Sequence, residues 1–348
     1  MSNSPSKATT SGGKSRAKTS VSVKSKSGLP SPSKSIQTRR GVSGASATPT
    51  PSIAHLIEQF GTEDRCHAYL EHLRWPHGLS CPRCQSDKIS RIHKRRQFDC
   101  DSCRYQFSVR VGTVLQDSKL PLWKWFLATY LMVVSKKGIS AVQLGKMTGV
   151  SYKTSWYLCH RIRSAMETVG KVGGVSGTVE VDETWVGGKV RGRGNGYIRN
   201  KTMVAGAVER GGEIRLRVVK SRDGKALGDF IEATISDDAG NIYTDEFSAY
   251  TTIRALRDED TTHATVNHEA KEWVRGDVHT NSVEGVWSLL KRSIVGSYHQ
   301  LSMKHLPAYL DEITFLFNGR NNPYLFRDTV LALIVANQLP YKDLIASH

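Results

Sequence analysis

The stretch CPRCQSDKISRIHKRRQFDCDSC, residues 81–103, decides how the first folded part of this chain is built. It contains two Cys-x-x-Cys pairs, Cys81 with Cys84 and Cys100 with Cys103, and 15 residues separate the pairs. Each pair can offer two thiolates to one ion, and a gap of this length suits a hairpin that brings the pairs together. The sequence therefore predicts a zinc ribbon over residues 78–112, whose tetrahedral site stabilises folding and takes no part in catalysis.

Two other interpretations of these cysteines stay open, namely two coincidental motifs or a redox-active dithiol. Four nearby side chains are rival ligands but lack paired spacing, so we interpret them as surface or packing residues: Cys66, His67, His77 and His93. Zinc-binding thiols have to stay reduced, which favours the cytoplasm as the location of the protein.

Basic residues without acidic neighbours are concentrated at the N-terminus. The formal net charge is +17, residues 1–52 contain nine Lys or Arg, and the first acidic residue is Glu58. Because this segment has few large apolar side chains, it cannot bury enough surface to fold and is predicted to be a disordered basic tail. Such a tail can hold DNA electrostatically; a solubilising extension and a transit peptide are the alternatives.

Several classes of protein are disfavoured by what the sequence lacks. It has no run of about 18 apolar residues and no signal-peptide pattern. We therefore expect a soluble protein without a membrane partner, located in the cytoplasm. The motifs GxGxxG, GxxxxGKS/T and GxSxG are also missing, which argues against a nucleotide-binding or hydrolase function.

Helical patterns precede and follow the ribbon. Residues 53–77 form the first predicted helical segment, in which Thr62 is an N-cap. Residues 119–170 are predicted to hold a buried helix and then a helix-turn-helix, with a turn at Gly149 and with Ser151 as the N-cap of the second helix. Any helical hairpin with a glycine turn has this pattern, but its place behind a zinc ribbon favours DNA binding.

The second helix of this pair is the predicted recognition helix. Tyr152, Lys153 and Ser155 lie near its N-terminus, where base edges are read in such motifs. Lys153, Arg161 and Arg163 are predicted to contact phosphates. These five residues form the predicted DNA-binding set.

After residue 175 the pattern changes to short strand-like runs. Strands are predicted at 178–181, 202–209, 213–220, 241–244 and 263–266, and a helix at 225–235. This order of elements predicts an α/β domain in which helices flank a mixed sheet, because three antiparallel strands are followed by a helix and further strands.

Three carboxylates occur where such a sheet can bring them together. Asp182 is predicted at the exit of the first strand, Asp245 at the end of a later strand, and Glu284 on a helix over residues 281–294. Seven residues are nearly two helical turns, so Lys291 projects on the same side as Glu284. Singly, each acid would be an ordinary strand-end or helix-face charge. The ordered set, with 62 and then 38 residues between the acids, favours a metal site.

The chemistry that such acids support is phosphoryl transfer. Carboxylate oxygens are preferred ligands of Mg²⁺ and Mn²⁺, and two such ions about 3.5–4 Å apart can activate an attacking water or 3′ hydroxyl and stabilise the leaving oxygen. Lys291 is predicted to hold a DNA phosphate beside the metals. Asn281 lies on the same side of the helix as Glu284 and is the alternative third ligand; lesser candidates are Asp277, His279 and Glu246.

The chain resembles insertion-sequence DDE transposases that carry an N-terminal zinc ribbon before an RNase H-like, integrase-type core. The resemblance covers about residues 53–325 and is carried by the motifs at 75–78, 81–84, 181–184, 243–245 and 279–292. It implies transposition by DNA strand cleavage and joining, with Asp182, Asp245 and Glu284 as metal ligands and Lys291 as a DNA contact. Related enzymes vary at the third position, where some have Asn, so Asn281 remains the alternative.

The predicted fold class is therefore multidomain: a zinc ribbon and a helical helix-turn-helix region, then an α/β RNase H-like core over residues 175–325 and a C-terminal helical tail over 326–348.

The predicted function is a DNA transposase that binds the ends of an insertion element and catalyses metal-dependent strand cleavage and strand transfer. Its predicted cofactors are structural Zn²⁺ and catalytic Mg²⁺ or Mn²⁺. Its predicted partners are double-stranded DNA, at element ends and target, and a second copy of the chain in a homodimer or higher oligomer on DNA. A domesticated, non-cutting DNA-binding regulator and a structure-selective nuclease are the alternatives.

Overall fold

The computed structural model describes residues 49–169, 173–188, 200–245, 250, 262–266 and 274–346. The predicted basic tail lies outside these residues except for positions 49–52, and Glu246 also lies outside them. None of the described helices is long and apolar enough to cross a membrane.

Two short helices lead into the ribbon. Helix α1 spans Ile53–Phe60 and α2 spans Glu63–Arg74. The predicted N-cap is confirmed, because the Thr62 hydroxyl accepts a hydrogen bond from the Arg65 amide. A hydroxyl in this place satisfies an amide that no carbonyl of the helix can reach.

The ribbon region is a three-stranded antiparallel sheet. Its strands, in order, are β1 (Ile89–Ile92), β2 (Gln97–Cys100) and β3 (Gln106–Phe107). The rings of Phe98 and Phe107 lie 5.3 Å apart beside the cysteines, and Trp75 packs edge-on against Phe98. A core this small needs a crosslink to be stable, which is the role expected of a bound metal.

The predicted helical pair follows the ribbon. After α3 (Leu122–Val134), α4 spans Ala141–Thr148 and α5 spans Tyr152–Val169. Gly149 between α4 and α5 has a φ of +63°, a left-handed conformation that favours glycine. The Ser151 hydroxyl accepts a hydrogen bond from the Thr154 amide, so α5 begins where the sequence predicts.

A five-stranded mixed sheet forms the larger α/β part. Its strands are β4 (Thr178–Gly187), β5 (Lys201–Glu209), β6 (Ile214–Val219), β7 (Asn241–Asp245) and β8 (Thr262–Val266). The spatial order is β6-β5-β4-β7-β8, in which β4, β5 and β6 are antiparallel neighbours whereas β7 and β8 run parallel to β4. The predicted mixed sheet is confirmed.

Strand β4 is longer than its sequence pattern predicts. Its antiparallel pairing with β5 continues to Gly187, which pairs with Lys201. Asp182 therefore lies in the middle of β4, opposite Gly206, and the prediction that it lies at the strand exit is wrong. The polar residues after Val181 stay in the strand because β5 supplies backbone hydrogen bonds from a segment distant in sequence.

Helices cover both faces of this sheet. Helix α6 (Gly224–Thr234) packs on one face, against Val179 and Val181. Helices α7 (Asn281–Ser293) and α8 (Leu306–Asn318) pack on the other face, against the side of β4 that bears Val186, and a π-helical turn over Ile294–Tyr298 follows α7. Because side chains alternate along a strand, Glu180 and Asp182 point to the α7 face.

The remaining elements are β9 (Val274–Arg275), β10 (Val278–His279), α9 (Leu325–Val335) and α10 (Tyr341–Ile345). Helix α9 shares one buried cluster with α3 and α5, and the rings of Phe126 and Phe326 lie 6.1 Å apart. The segment predicted as a C-terminal tail thus contributes α9 to the core of the N-terminal helices.

Candidate active site and metal centre

The four cysteines of the ribbon converge on one point. The Sγ atoms of Cys81 and Cys103 lie 3.7 Å apart and those of Cys84 and Cys100 lie 3.5 Å apart, and all four atoms lie within 4.8 Å of one another. A zinc ion with Zn–S bonds of about 2.3 Å requires sulfur atoms about 3.8 Å apart at the corners of a tetrahedron. The predicted donor set therefore fits Zn²⁺.

The rival ligand Cys66 has a different environment. Its thiol is buried and donates to the Phe60 carbonyl oxygen at 3.2 Å. Burial, with a smaller effect of Glu63, raises the pKa of this thiol to about 12. A thiol that stays protonated is a poor metal ligand, so Cys66 is a packing residue as predicted.

Three acids lie together at the middle of the mixed sheet. Oxygens of Asp182, Glu183 and Asp245 lie within 4.8 Å of one another. The register of β4 and β7 explains this, because Glu180 is opposite Tyr243 and two further residues bring Asp182 level with the end of β7. The fold therefore brings together two of the three predicted acids, Asp182 and Asp245. It also brings in Glu183, which the sequence did not predict as a site residue.

The environment of Asp182 favours a bound cation. Burial, followed by the charges of Glu183 and Asp245, raises the pKa of Asp182 to about 7, although a hydrogen bond from Trp287 opposes the rise. Burial and neighbouring acids therefore disfavour the ionised form of Asp182 when no cation is present. Carboxylate oxygens this close together match the donor set of a divalent cation such as Mg²⁺.

Glu183 is held by two neighbours on the α6 side. The Tyr250 hydroxyl donates to Glu183 at 2.7 Å, and the Arg222 guanidinium donates to the other carboxylate oxygen. Arg222 also lies 3.4 Å from a carboxylate oxygen of Asp245. Strand alternation alone would direct Glu183 away from Asp182, but the distances between the carboxylate oxygens show that Glu183 belongs to the acid group.

The third predicted acid lies outside this group. Glu284 is exposed in the first turn of α7, and the described oxygens that cluster with Asp182 do not include its carboxylate. Trp287, one turn further along, donates to Asp182 at 2.7 Å, so α7 lies beside the acids. Asn281 and Lys291 are exposed at the beginning and near the end of the same helix.

A fourth acid, Glu180, fixes the beginning of α7. Its buried carboxylate accepts hydrogen bonds from the amides of Ser282 and Val283 at 2.7 and 3.1 Å, and from the Ser282 hydroxyl at 2.9 Å. An anion at a helix N-terminus satisfies amides that lack helical partners and interacts favourably with the helix dipole. Glu180 thereby ties the helix that bears Glu284 to the strand that bears Asp182.

Arg210 completes this anchor. Its Nε donates to Glu180 at 2.7 Å, and its other nitrogens donate to the carbonyl oxygens of Asp277 and His279 at 2.8 and 3.1 Å. The ring of His279 lies 3.2 Å from Glu180. The lesser candidates Asp277 and His279 therefore adjoin the anchor of α7 and not the group formed by Asp182 and Asp245.

The predicted DNA-binding set is divided between surface and interior. Tyr152 is 60% exposed, and Lys153 is exposed with its Nζ 5.0 Å from the Tyr341 ring. Ser155 is buried, and its hydroxyl donates to the Ala141 carbonyl oxygen, which joins α5 to α4. Tyr152 and Lys153 are therefore at the surface, whereas Ser155 is buried and its prediction is corrected to a packing role.

The two predicted arginines also lie in the interior. Arg161 donates to the Gln116 carbonyl oxygen at 2.6 Å, and Arg163 forms a 2.7 Å ion pair with Glu312 on α8. Both arginines are buried. Their predicted phosphate contacts are corrected as well, because Arg161 joins α5 to the turn before α3 and Arg163 joins α5 to α8.

Two family models and one relative match this chain. The model of the ISXO2-like transposase domain matches residues 174–318, which include all three predicted acids, and the model of the transposase zinc-ribbon domain matches residues 61–106. The chain is 30% identical over 274 residues to an "uncharacterized protein in transposable element ISH50" of Halobacterium salinarum, an alignment that covers 73% of this chain and 90% of that protein. The chain therefore belongs to the family of ISXO2-like transposases that carry an N-terminal zinc ribbon.

Proposed function

We propose that this transposase binds the ends of its insertion element and catalyses metal-dependent DNA strand cleavage and strand transfer. The observation that carries the proposal is the convergence of Asp182, Glu183 and Asp245 oxygens within 4.8 Å of one another. Acids grouped in this way suit a divalent cation, and the chain belongs to a transposase family.

Asp182 and Asp245 are the proposed ligands of Mg²⁺ or Mn²⁺, and Glu284 is the proposed third acid, with Asn281 as the alternative. Two bound ions supply Lewis-acid activation of the attacking hydroxyl and stabilisation of the leaving oxygen. The protein orients Asp182 through Trp287 and sets the position of α7 through Glu180. Lys291 is proposed to contact the DNA phosphates.

The strand order supports an RNase H-like core. Three antiparallel strands, β6, β5 and β4, are followed by β7 and β8 parallel to β4. One acid is contributed by the central strand β4 and another by the end of the adjacent β7. The fold positions the acids at one sheet location, where one cation can contact both.

The ribbon and the helix pair are proposed to bind the element ends. Tyr152 and Lys153 lie on the exposed beginning of α5, which is where a recognition helix contacts base edges and phosphates. A net charge of +17 favours association with a polyanion. Because two ends must be held for strand transfer, a homodimer or higher oligomer is proposed on DNA.

The test is a cleavage and strand-transfer assay on a duplex that carries the element's own end, with Mg²⁺ or Mn²⁺. Asp182→Asn should bind the end but lose roughly 1000-fold or more in cleavage, since bound metal supplies several kcal/mol of transition-state stabilisation. The matched control is Asp229→Asn, an exposed surface aspartate on α6 that should cut normally. A wild-type protein that binds the end without nicking or joining it contradicts the proposal.

Two further variants decide the third ligand. Glu284→Gln should cut as poorly as Asp182→Asn, and Asn281→Ala should retain most activity. If Glu284→Gln cuts normally while Asn281→Ala does not, Asn281 occupies the third position and the assignment of Glu284 is wrong.

A further inference from the structure

The hairpin between β1 and β2 presents a basic surface. Residues 93–96, which we call the ribbon tip, read His-Lys-Arg-Arg and are all exposed. A 3-10 turn over His93–Arg95 is followed by Arg96 with a φ of +50°, and this conformation returns the chain into β2. Four adjacent side chains that carry or can carry positive charge thus stand at the end of a two-stranded ribbon.

The charge of the ribbon is strongly unbalanced. Residues 78–112 contain eight Lys or Arg against three Asp, a formal charge of +5. One of these acids, Asp101, accepts a hydrogen bond from Ser90 within the ribbon. The surface around the tip therefore keeps an excess of positive charge that suits an anionic partner, although two acids of α2 pair with Arg91 and Arg96.

Two arginines of the hairpin are used to hold it against α2. Arg91 lies 2.8 Å from a carboxylate oxygen of Glu71, and Arg96 lies 2.8 Å from one of Asp64. Exposed ion pairs of this kind contribute little stability singly, but two of them on one helix restrict the direction of the hairpin. The tip is thus presented in a defined orientation.

Lys94 and Arg95 differ from these two arginines. Both are exposed, and neither forms an ion pair with any residue in the described part of the chain. They lie in the turn itself, and Lys94 also lines a groove between the hairpin and α2.

We propose that the ribbon tip is a phosphate-binding surface for double-stranded DNA. Lys94 and Arg95 neutralise backbone phosphates, while Arg91 and Arg96 keep the hairpin oriented through α2. The tip acts on any DNA sequence, because phosphate contacts position a protein without reading bases. The proposal rests on DNA binding within the proposed function but not on the chemistry of the acids.

The test uses the full chain loaded with zinc and measures binding to two duplexes, the element end and an unrelated sequence, from 50 to 300 mM salt. The Lys94→Ala/Arg95→Ala double variant should lower the magnitude of the log Kobs against log[salt] slope by about 2 on both duplexes. At about 0.15 M salt the affinity should fall roughly 10- to 30-fold on both. The matched control is Lys136→Ala/Lys137→Ala, which removes the same charge from an exposed loop after α3 and should keep the wild-type slope.

Three outcomes overturn the proposal. The first is an unchanged salt slope in the tip variant. The second is an equal decrease in the control, which means that net charge and not the tip is responsible. The third is a loss confined to the element end, which means that the tip reads bases. As a folding control, the zinc content and the thermal unfolding temperature of the tip variant should match those of the wild-type protein. If the wild-type protein fails to cleave DNA, the proposed function falls, but the result on DNA binding by the tip still stands.

Discussion

The indole of Trp287 donates a 2.7 Å hydrogen bond to the carboxylate of Asp182 and thereby joins α7 to the middle of β4. Gly206, opposite Asp182 on β5, makes room for this contact, since a Cβ there would lie 2.6 Å from the Trp287 ring. The hydrogen bond favours the ionised form of Asp182, in opposition to burial and the neighbouring acids. Trp287 therefore holds α7 beside β4 and also stabilises the ionised form of Asp182, the candidate metal ligand.

Trp287→Phe should shift the pH dependence of cleavage upward by about one unit. A hydrogen bond to a charged group contributes about 1.5–3 kcal/mol, and its loss further raises the pKa of Asp182. The measurement is the single-turnover cleavage rate against pH at subsaturating Mg²⁺, where protonation of Asp182 competes with the cation. Trp185→Phe, at a partly exposed position on the same strand, is the control, and equal profiles for the two variants contradict the role of Trp287.

Glu180→Gln should destabilise the protein by about 2–4 kcal/mol and reduce cleavage more than end binding. The change removes the charge that interacts with Arg210 and with the amides at the start of α7. Denaturant unfolding and single-turnover cleavage measure the two effects. Glu213→Gln removes an exposed carboxylate paired with Arg215 and should change stability by less than about 1 kcal/mol. Normal cleavage by a stably folded Glu180→Gln excludes the positioning role.

Arg163 and Glu312 should behave as a buried structural pair. Removing either partner leaves an uncompensated buried charge, so Arg163→Met and Glu312→Gln should each lower the unfolding free energy by about 3–5 kcal/mol, and the double variant by less than the sum. A double-mutant cycle in urea measures this coupling. If Arg163 contacted phosphate instead, Arg163→Met would reduce the salt slope of DNA binding while leaving stability nearly unchanged.

Cys100→Ser should release zinc and abolish selective binding of the element end. The basic N-terminal residues should retain salt-sensitive, non-selective affinity for DNA. Zinc content and competition between end and unrelated duplexes check both statements. Ser102→Ala lies within the same Cys-x-x-Cys pair without supplying a thiolate, and it should leave both properties unchanged. End selectivity that survives zinc loss would show that the ribbon does not select the end.

Without divalent ions, the stability of the protein should fall as pH rises from about 4 to about 7. In this window Asp182 keeps its proton in the folded state, with a pKa of about 7, but loses it in the unfolded state, whose ordinary value is 3.8. The effect is on the order of 2–4 kcal/mol at pH 8. Thermal unfolding should therefore show that metal-free Asp182→Asn is more stable than wild type at pH 8, whereas Mn²⁺ should stabilise only wild type. Equal stabilisation of both proteins by Mn²⁺ is inconsistent with Asp182 as a ligand.

Local signals in the sequence were sufficient for much of the fold. Thr62 and Ser151 begin helices because a hydroxyl satisfies amides three residues away, and Gly149 ends α4 because glycine accepts a left-handed conformation. The spacing of the two cysteine pairs likewise brings the four Sγ atoms together within a single hairpin. In each case the interacting groups are close together in the sequence, so these features can be predicted before the tertiary structure is known.

The candidate site depended on contacts between distant segments. The motif around Asp182 identified the first acid, but pairing with β5 placed it inside a strand, and Tyr250 and Arg222 brought in Glu183. Arg163 was similarly predicted from helix position to be on the surface, whereas Glu312 holds it in the interior.

The sequence by itself determined the convergence of the four cysteines, the helix starts at Thr62 and Ser151, the mixed sheet and the family, because these depend on short-range spacing or on recognisable motifs. Only the tertiary structure decided which charged residues are buried, which acids share one location, and how Glu180 anchors α7. The physical reason is that burial and desolvation, which set ion pairs and the pKa of Asp182, depend on neighbours far away along the chain.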